Sequence, residues 1–245
     1  MSPEAVVPKH KMPLRPFLRV VLIGSLSLAL LYVVSGLIWK YSGSNQWEFH
    51  SEKNGVKVYT LKQPGSELRQ VKGITRVHST VARLVDMVRD PSVCDDIGCT
   101  AARTLDRVSD QLQYDYFRLD RPPFKTREFV IKEDFHQDPR TKAVFMTVSA
   151  APDAIPPDPC CFRVTQMSNS LQFTPVGNGE VEIEYVVSQN EGGFIPSLFL
   201  NWFRPKIMYN LQALQQLANR EKYKNAKFDF MKEDETNGPE TVTMR

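Results

Sequence analysis

Histidine and tryptophan are scarce in this 245-residue chain, four and three in all, and cysteine also numbers only four. His50, His78 and His136 stand far apart and no C-x-x-C pair occurs, so neither residue type has metal-site spacing, and no metal is expected. Also missing are a G-x-S-x-G elbow, a P-loop, a G-x-G-x-x-G after a strand and an H-E-x-x-H helix. Their absence removes the commonest hydrolase, nucleotide-binding and metalloprotease chemistries. Adjacent carboxylates such as Asp95 and Asp96, or Glu133 and Asp134, read as solvated turn or strand residues rather than acid/base partners. No enzymatic activity and no cofactor are expected.

A surplus of one charge is lacking too. The formal net charge is +3, and residues 1–40 carry five basic side chains against Glu4 alone, leaving the remainder near neutrality. A neutral folded part without a basic stripe has no footprint for a phosphate backbone, which excludes nucleic acid as a partner. With 24% charged and 42% hydrophobic residues, neither a wholly disordered chain nor a polytopic membrane protein fits.

What the sequence does have is one long apolar run. Val20 to Trp39 reads "VVLIGSLSLALLYVVSGLIW", uncharged throughout and just long enough as a helix to span about 30 Å of hydrocarbon. Basic residues precede it, and Trp39, Lys40 and Tyr41 form an interfacial belt after it, which places the N-terminus in the cytoplasm. The expected organisation is a cytoplasmic segment over 1–19, a single-pass anchor over 20–40, a tether over 41–45, a folded domain over 46–220 on the exported (periplasmic or lumenal) side, and a polar disordered tail over 221–245. A cleavable signal peptide, cut after the small residues Val34 and Gly36, is the competing reading. Either way the domain is exported, where disulfides are permitted. Cys94 and Cys99 are close enough to pair across a turn, whereas Cys160 and Cys161 would point to opposite faces of an extended chain and are expected to pair elsewhere or stay free. Buried thiols are the alternative.

Downstream, "VKVYTLK" (56–62) and "ELRQVKGITRVHS" (67–79) alternate about the turn "QPGS" as a hairpin. "STVARLVDMVRDP" (79–91) is a short helix, capped by Ser79 or Thr80 and ended by Pro91. Six strand-like runs follow, joined by turns too short for parallel crossovers, so an antiparallel meander is expected. In "EVEIEYVVS", Glu182 and Glu184 mark an outer face and Ile183 and Tyr185 an inner one. In "LQYDYFRL", Tyr114 and Tyr116 share a face with Leu112, taken as inward; their hydroxyls then need partners, from a ligand or from neighbouring backbone. The last helix starts near Pro196 and carries the stripe Leu200, Phe203, Ile207, Leu211 and Leu214 to about Asn219.

Several segments together resemble the START (StAR-related lipid transfer) domain family of the helix-grip superfamily. "REFVIKEDF" (127–135) is similar to that family's Arg-Asp-Phe-Val strand, with Glu128 for the Asp. "FRVTQMSNSLQFTPVGNGEVEIEYVVSQNEGG" (162–193) is similar to its closing strands, "GFIPSLFLN" (193–201) to its Gly-x-Ile-Pro opening of the last helix, and Trp47 with "NGVKVY" to its beginning. The resemblance implies an α+β helix-grip fold, in which a curved antiparallel sheet wraps a long C-terminal helix around a lipid-sized cavity. It implies a lipid ligand, bound for shielding and transfer between membranes, with Tyr114, Tyr116, Ile183, Tyr185, Leu200, Phe203 and Ile207 as walls. A helix-grip enzyme, whose titratable cluster would have to come from Asp115, Glu133 or Arg163, and a cavity-free interaction module are the alternatives.

Overall fold

The computed structural model describes residues 14–209 and 211–233. Helix α1 (Leu14–Tyr41) contains the apolar run, touches none of the domain core along its length, and is by length and composition able to cross a membrane. It ends docked. Trp39 Nε1 donates to the Glu67 carbonyl at 3.0 Å, and the Gly65 N–H donates to the Lys40 carbonyl at 2.8 Å.

The domain begins with β1 (Trp47–Lys53), β2 (Val56–Leu61) and β3 (Gln70–His78), then α2 (Val81–Val88). Thr80 caps α2 by accepting from the Arg83 N–H, and the apolar face of the helix (Val81, Leu84, Val85, Met87) is buried. After a 3₁₀ turn at Pro91–Val93 and the single turn α3 (Cys94–Ile97) come β4 (Thr100–Ser109), β5 (Leu112–Arg121), β6 (Phe124–Gln137), β7 (Val144–Ala150), β8 (Phe162–Arg163), β9 (Gln166–Gly177), β10 (Glu180–Val187) and β11 (Gln189–Asn190). They form one sheet in the order β1-β2-β3-β10-β9-β7-β6-β5-β4, antiparallel along this path. The expected meander is thus joined to the first hairpin by β10, which returns to pair β3 and leaves β1 and β4 at the two edges. The run at 162–175 is not one strand. Its start, β8, pairs in parallel with β6, and β9 takes over after Val164.

The C-terminal helix comes in two pieces, α4 (Ser197–Met208) and α5 (Ala213–Ala218), rather than one unbroken rod. Between them, i→i+3 bonds from Leu211 to Met208 and from Leu214 to Leu211 tighten the chain. The apolar stripe survives because these turns keep both leucines against the sheet. Gly73 on β3 makes the approach close, since a Cβ there would lie 2.6 Å from Leu211 Cδ1.

Two further expectations are corrected. The chain past residue 220 is not a loose tail as far as it is described: Tyr223 and Met231 are buried, Phe228 and Phe230 pack on the core, and the Tyr223 hydroxyl bonds Asp90 at 2.7 Å. Polar composition hid three aromatics spaced to reach one hollow; residues 234–245 lie outside the described part. Cys160 and Cys161 are bonded to each other, not to distant partners, in a tight turn where the Asp158 side chain receives the Cys160 N–H. Cys94 pairs with Cys99.

Buried apolar residues fall into two clusters. The larger joins α2, α5 and the final segment to Phe129, Phe135, Phe173 and Ile183 on the sheet; the smaller joins Val56, Val58 and Val71 to Met208 and Leu211.

Candidate functional site

A cavity of about 770 Å³ lies between these clusters and is bordered by members of both, including Phe129, Ile131 and Met146 from one and Met208 and Leu211 from the other. Ligand cavities run to roughly 300–1,000 Å³, so the size suits a lipid-scale ligand. Its walls are mostly apolar, from the inner faces of β5, β6, β7, β9 and β10 and from α4.

Of the seven residues expected at the wall, Tyr116, Tyr185, Phe203 and Ile207 border the cavity, from β5, β10 and α4. Tyr185 is packed so that burial pushes its phenol pKa up to about 12, against a bond from Asn169. Leu200 faces a second pocket instead. Ile183 is fully buried in the core between sheet and helices. Tyr114 does not border the cavity. The inward set of β5 is Gln113, Asp115 and Phe117, with Phe117 stacked on Phe129 at 4.7 Å. Tyr114 lies outside opposite Lys132. Tyr116 is itself among the residues bordering the cavity, while its hydroxyl is engaged with residues that do not border it, Glu128 Oε2 at 3.3 Å and Arg118 Nε at 2.5 Å. Alternation was read correctly but its phase was not. Aromatics suggested the inside, whereas a covering segment at 151–163 buries the outer face of β5 as well.

The inward polar residues make a cluster at the α2 end of the cavity. Gln113 Nε2 donates to Asp115 Oδ2 at 2.6 Å and to Glu133 Oε2 at 2.8 Å, while its Oε1 accepts from Arg89 Nε at 3.0 Å. All four side chains are buried, and Asp115 and Glu133 border the cavity. Burial, then the neighbouring Asp115 charge, raises the Glu133 pKa well above the ordinary carboxylate range; burial also raises that of Asp115. Two carboxyls held on one amide nitrogen in a dry site disfavour each other's charge. Arg163, the third titratable residue considered, is elsewhere, paired with Glu128 at 3.1 Å on the outer face. Arg89 and Gln113 were not singled out by their sequence context; a Gln between two apolar neighbours on the inner phase is the signal that could have found them.

At the opposite end, under α4, Arg121 pairs with Glu191 at 2.9 Å and Arg204 donates to the Gln189 carbonyl at 2.5 Å. Here "EGG" finds its use. Gly192 and Gly193 have φ of +63° and +65°, and a Cβ on either would strike Phe162 or Arg127. The turn therefore packs flush on β6 and β8 and releases the chain into α4, whose Asn201 accepts from the Arg69 N–H at 2.8 Å and donates to the Glu67 carbonyl at 3.0 Å. Met167, Gln189 and Arg204 are shared between the main cavity and the second pocket, of about 680 Å³, which opens beside Lys40 at the end of α1. Among the described residues no group of three or more His, Cys, Asp or Glu could hold a metal.

No protein-family model matches the chain. An uncharacterised protein of Pseudomonas aeruginosa is 27% identical over 180 residues, which is 72% of this chain and 89% of that protein. The crystal structure of a STAR-related lipid transfer protein fragment from Xanthomonas axonopodis is 24% identical, with 70% of this chain and 98% of that one covered and a TM-score of 0.66. Human StAR-related lipid transfer protein 5 is 18% identical, covering 81% of this chain and 97% of its own, with a TM-score of 0.62. The chain accordingly has the α+β helix-grip fold of the START domains.

Proposed function

We propose that the protein is a membrane-anchored lipid-binding protein that withdraws a lipid from a bilayer, shields it in the cavity and passes it on. The observation that carries this reading is the apolar cavity of about 770 Å³ between sheet and α4. At about 25 cal/mol per Å² of apolar area, a lipid with a few hundred Å² of buried tail binds without directed chemistry. The geometry near α1 supports the membrane side of the proposal. The Glu67–Arg69 loop holds both Trp39 at the end of α1 and Asn201 on α4, so the exposed Phe194, Leu198 and Trp202 belong to the end of the domain nearest the anchor. That face meets the bilayer, and a lipid passes through the second pocket, past Arg204, when the first turn of α4 moves. Anchorage with the domain on the exported side accounts for the basic N-terminal segment and for cysteines that pair.

Native mass spectrometry of the full chain extracted from membranes tests the reading: a copurifying lipid is expected, and Leu171→Trp, which fills the cavity from β9, should reduce its occupancy. A chain that carries no lipid and takes up no fluorescent lipid or sterol would end it. A catalytic reading draws on the buried Asp115 and Glu133; recovery of bound lipid chemically unchanged after prolonged incubation argues against it, and consumption of the lipid argues for it.

A further inference from the structure

The two disulfides stand in opposite surroundings. Cys94 and Cys99 are buried and border the cavity, whereas Cys160 is exposed and Cys161, its chain neighbour and bonding partner, is half-buried. A cross-link restrains the unfolded chain less the shorter the loop it closes, so the bond between neighbours adds little as a staple. What it fixes is the shape of one turn. Before the pair, the Asp158 N–H donates to Glu128 Oε1 at 3.0 Å and the Asp158 side chain accepts from the Cys160 N–H at 2.9 Å; after it, Arg163 reaches the same carboxylate at 3.1 Å. Phe162 stands between Cys161 and Arg163. Its ring lies so close to the glycine turn that a Cβ on Gly192 would be 2.5 Å from it, and Arg127, whose guanidinium is 5.4 Å from the centre of that ring, donates to the Gly192 carbonyl at 2.9 Å. Helix α4 starts soon after, at Ser197. An exposed disulfide is thus connected through one side chain to the turn that releases α4.

We propose that Cys160–Cys161 is a thiol–disulfide exchange site: a dithiol opens it while Cys94–Cys99 stays closed, and opening loosens the seat of the Gly192–Gly193 turn ahead of α4. A thiolate of the dithiol attacks Cys160 Sγ, on the more exposed residue; the S–S bond breaks and its electron pair leaves on Cys161 Sγ, which takes a proton from water. The second thiol of the dithiol gives up its proton, closes the reagent's own disulfide and releases Cys160 as a thiol. The dithiol is oxidised and the protein disulfide reduced to two thiols. Access decides which bridge reacts, because the attacking thiolate must reach sulfur and burial keeps it from Cys94 and Cys99. Without the bridge the two cysteine side chains turn independently, and Phe162, bonded directly to Cys161, loses the fixed approach that sets its ring against Gly192. This inference does not rest on lipid binding.

The test uses the full chain in detergent. Dithiothreitol at neutral pH, then iodoacetamide and peptide mass spectrometry, should label Cys160 and Cys161 together and leave Cys94 and Cys99 bonded until denaturant is added. Hydrogen exchange reads the consequence: amides of residues 190–199 should exchange roughly threefold to tenfold faster in the reduced chain, the range for the loss of about one hydrogen bond of anchorage, while those of α2 stay as they were. Cys160→Ser combined with Cys161→Ser should exchange like the reduced wild type and ignore dithiothreitol. Wild type with and without reductant decides the matter even if that double variant does not fold. A Cys160–Cys161 bond that survives dithiothreitol until denaturant is added, a Cys94–Cys99 bond that opens as readily, or exchange at 190–199 that reduction leaves unchanged overturns the inference.

Discussion

The two faces of strands β5 and β6 are finished differently. Outside, Glu128 has every oxygen engaged: Oε1 accepts from the Asp158 N–H at 3.0 Å and pairs with Arg163 at 3.1 Å, and Oε2 accepts from Tyr116. Arg118 closes the set by reaching both Tyr116 and Asp158. Inside, Gln113, Asp115 and Glu133 are as well buried, but a cavity stands beside Asp115 and Glu133. The outer cluster has the completeness of a structural tie, fastening the 151–163 segment to the sheet. The inner one lies along a cavity instead of under a covering segment.

The comparison is broken most forcefully at Glu128. Replacing it with Ala leaves Arg163 facing a dry interior without its counter-charge, and removing one partner of a buried pair costs about 3–5 kcal/mol. Chemical denaturation of Glu128→Ala should show a loss of that order; a loss below about 1 kcal/mol would mean that water reaches the outer cluster and that the tie is not one.

On the inner face the handle is pH. The Glu133 pKa is raised, so the folded state favours its neutral form: below the unfolded value of about 4.3 both states are protonated and no penalty exists, and as pH climbs toward the folded value the unfolded state ionises first and stability falls. Glu133→Gln stays neutral throughout. Its melting temperature relative to wild type should therefore rise between pH 5 and pH 8 (roughly the window above that unfolded value), and an offset that does not change with pH would show that Glu133 ionises freely in the folded protein.

Much of this architecture was legible in the residues. Period-two alternation found most of the strands, Thr80 and Pro91 bounded α2, and the spacing from Leu200 to Leu214 found the helical cover. The site was less legible for two physical reasons. Alternation fixes which residues share a face but not which face is inward, and on β5 the outer face is covered around Tyr116, so that hydrophobicity did not mark the inner one. Nor does sequence spacing show that Arg89, Gln113 and Glu133, 24 and 20 residues apart, meet through pairing of β5 with β6 and the end of α2. The final segment was missed similarly, because Tyr223, Phe228 and Phe230 are apolar anchors separated by exposed polar residues, Lys224, Lys227 and Asp229 among them.

Tyr116→Phe sharpens the contrast with a smaller effect. It removes one hydroxyl from the outer cluster while keeping the ring beneath Arg103, 4.2 Å away, so about 0.5–1.5 kcal/mol of stability should be lost. Lipid uptake should not change. A Tyr116→Phe protein that is as stable as wild type but binds lipid less well would reassign this hydroxyl to the cavity.

The smallest effect is expected where the outer face of the sheet runs out from under its cover. Lys132 and Asp134 pair at 3.6 Å with 39% and 53% of their side chains exposed. Solvent screens such a pair, and holding two long side chains in register offsets much of the attraction, so Lys132→Ala should change stability by no more than about 1 kcal/mol and less in high salt. Lys132 stands on the same face of β6 as Glu128, so the two substitutions differ chiefly in the segment lying over one and not the other. If Lys132→Ala cost as much as Glu128→Ala, burial by that segment would not be what gives the outer cluster its strength.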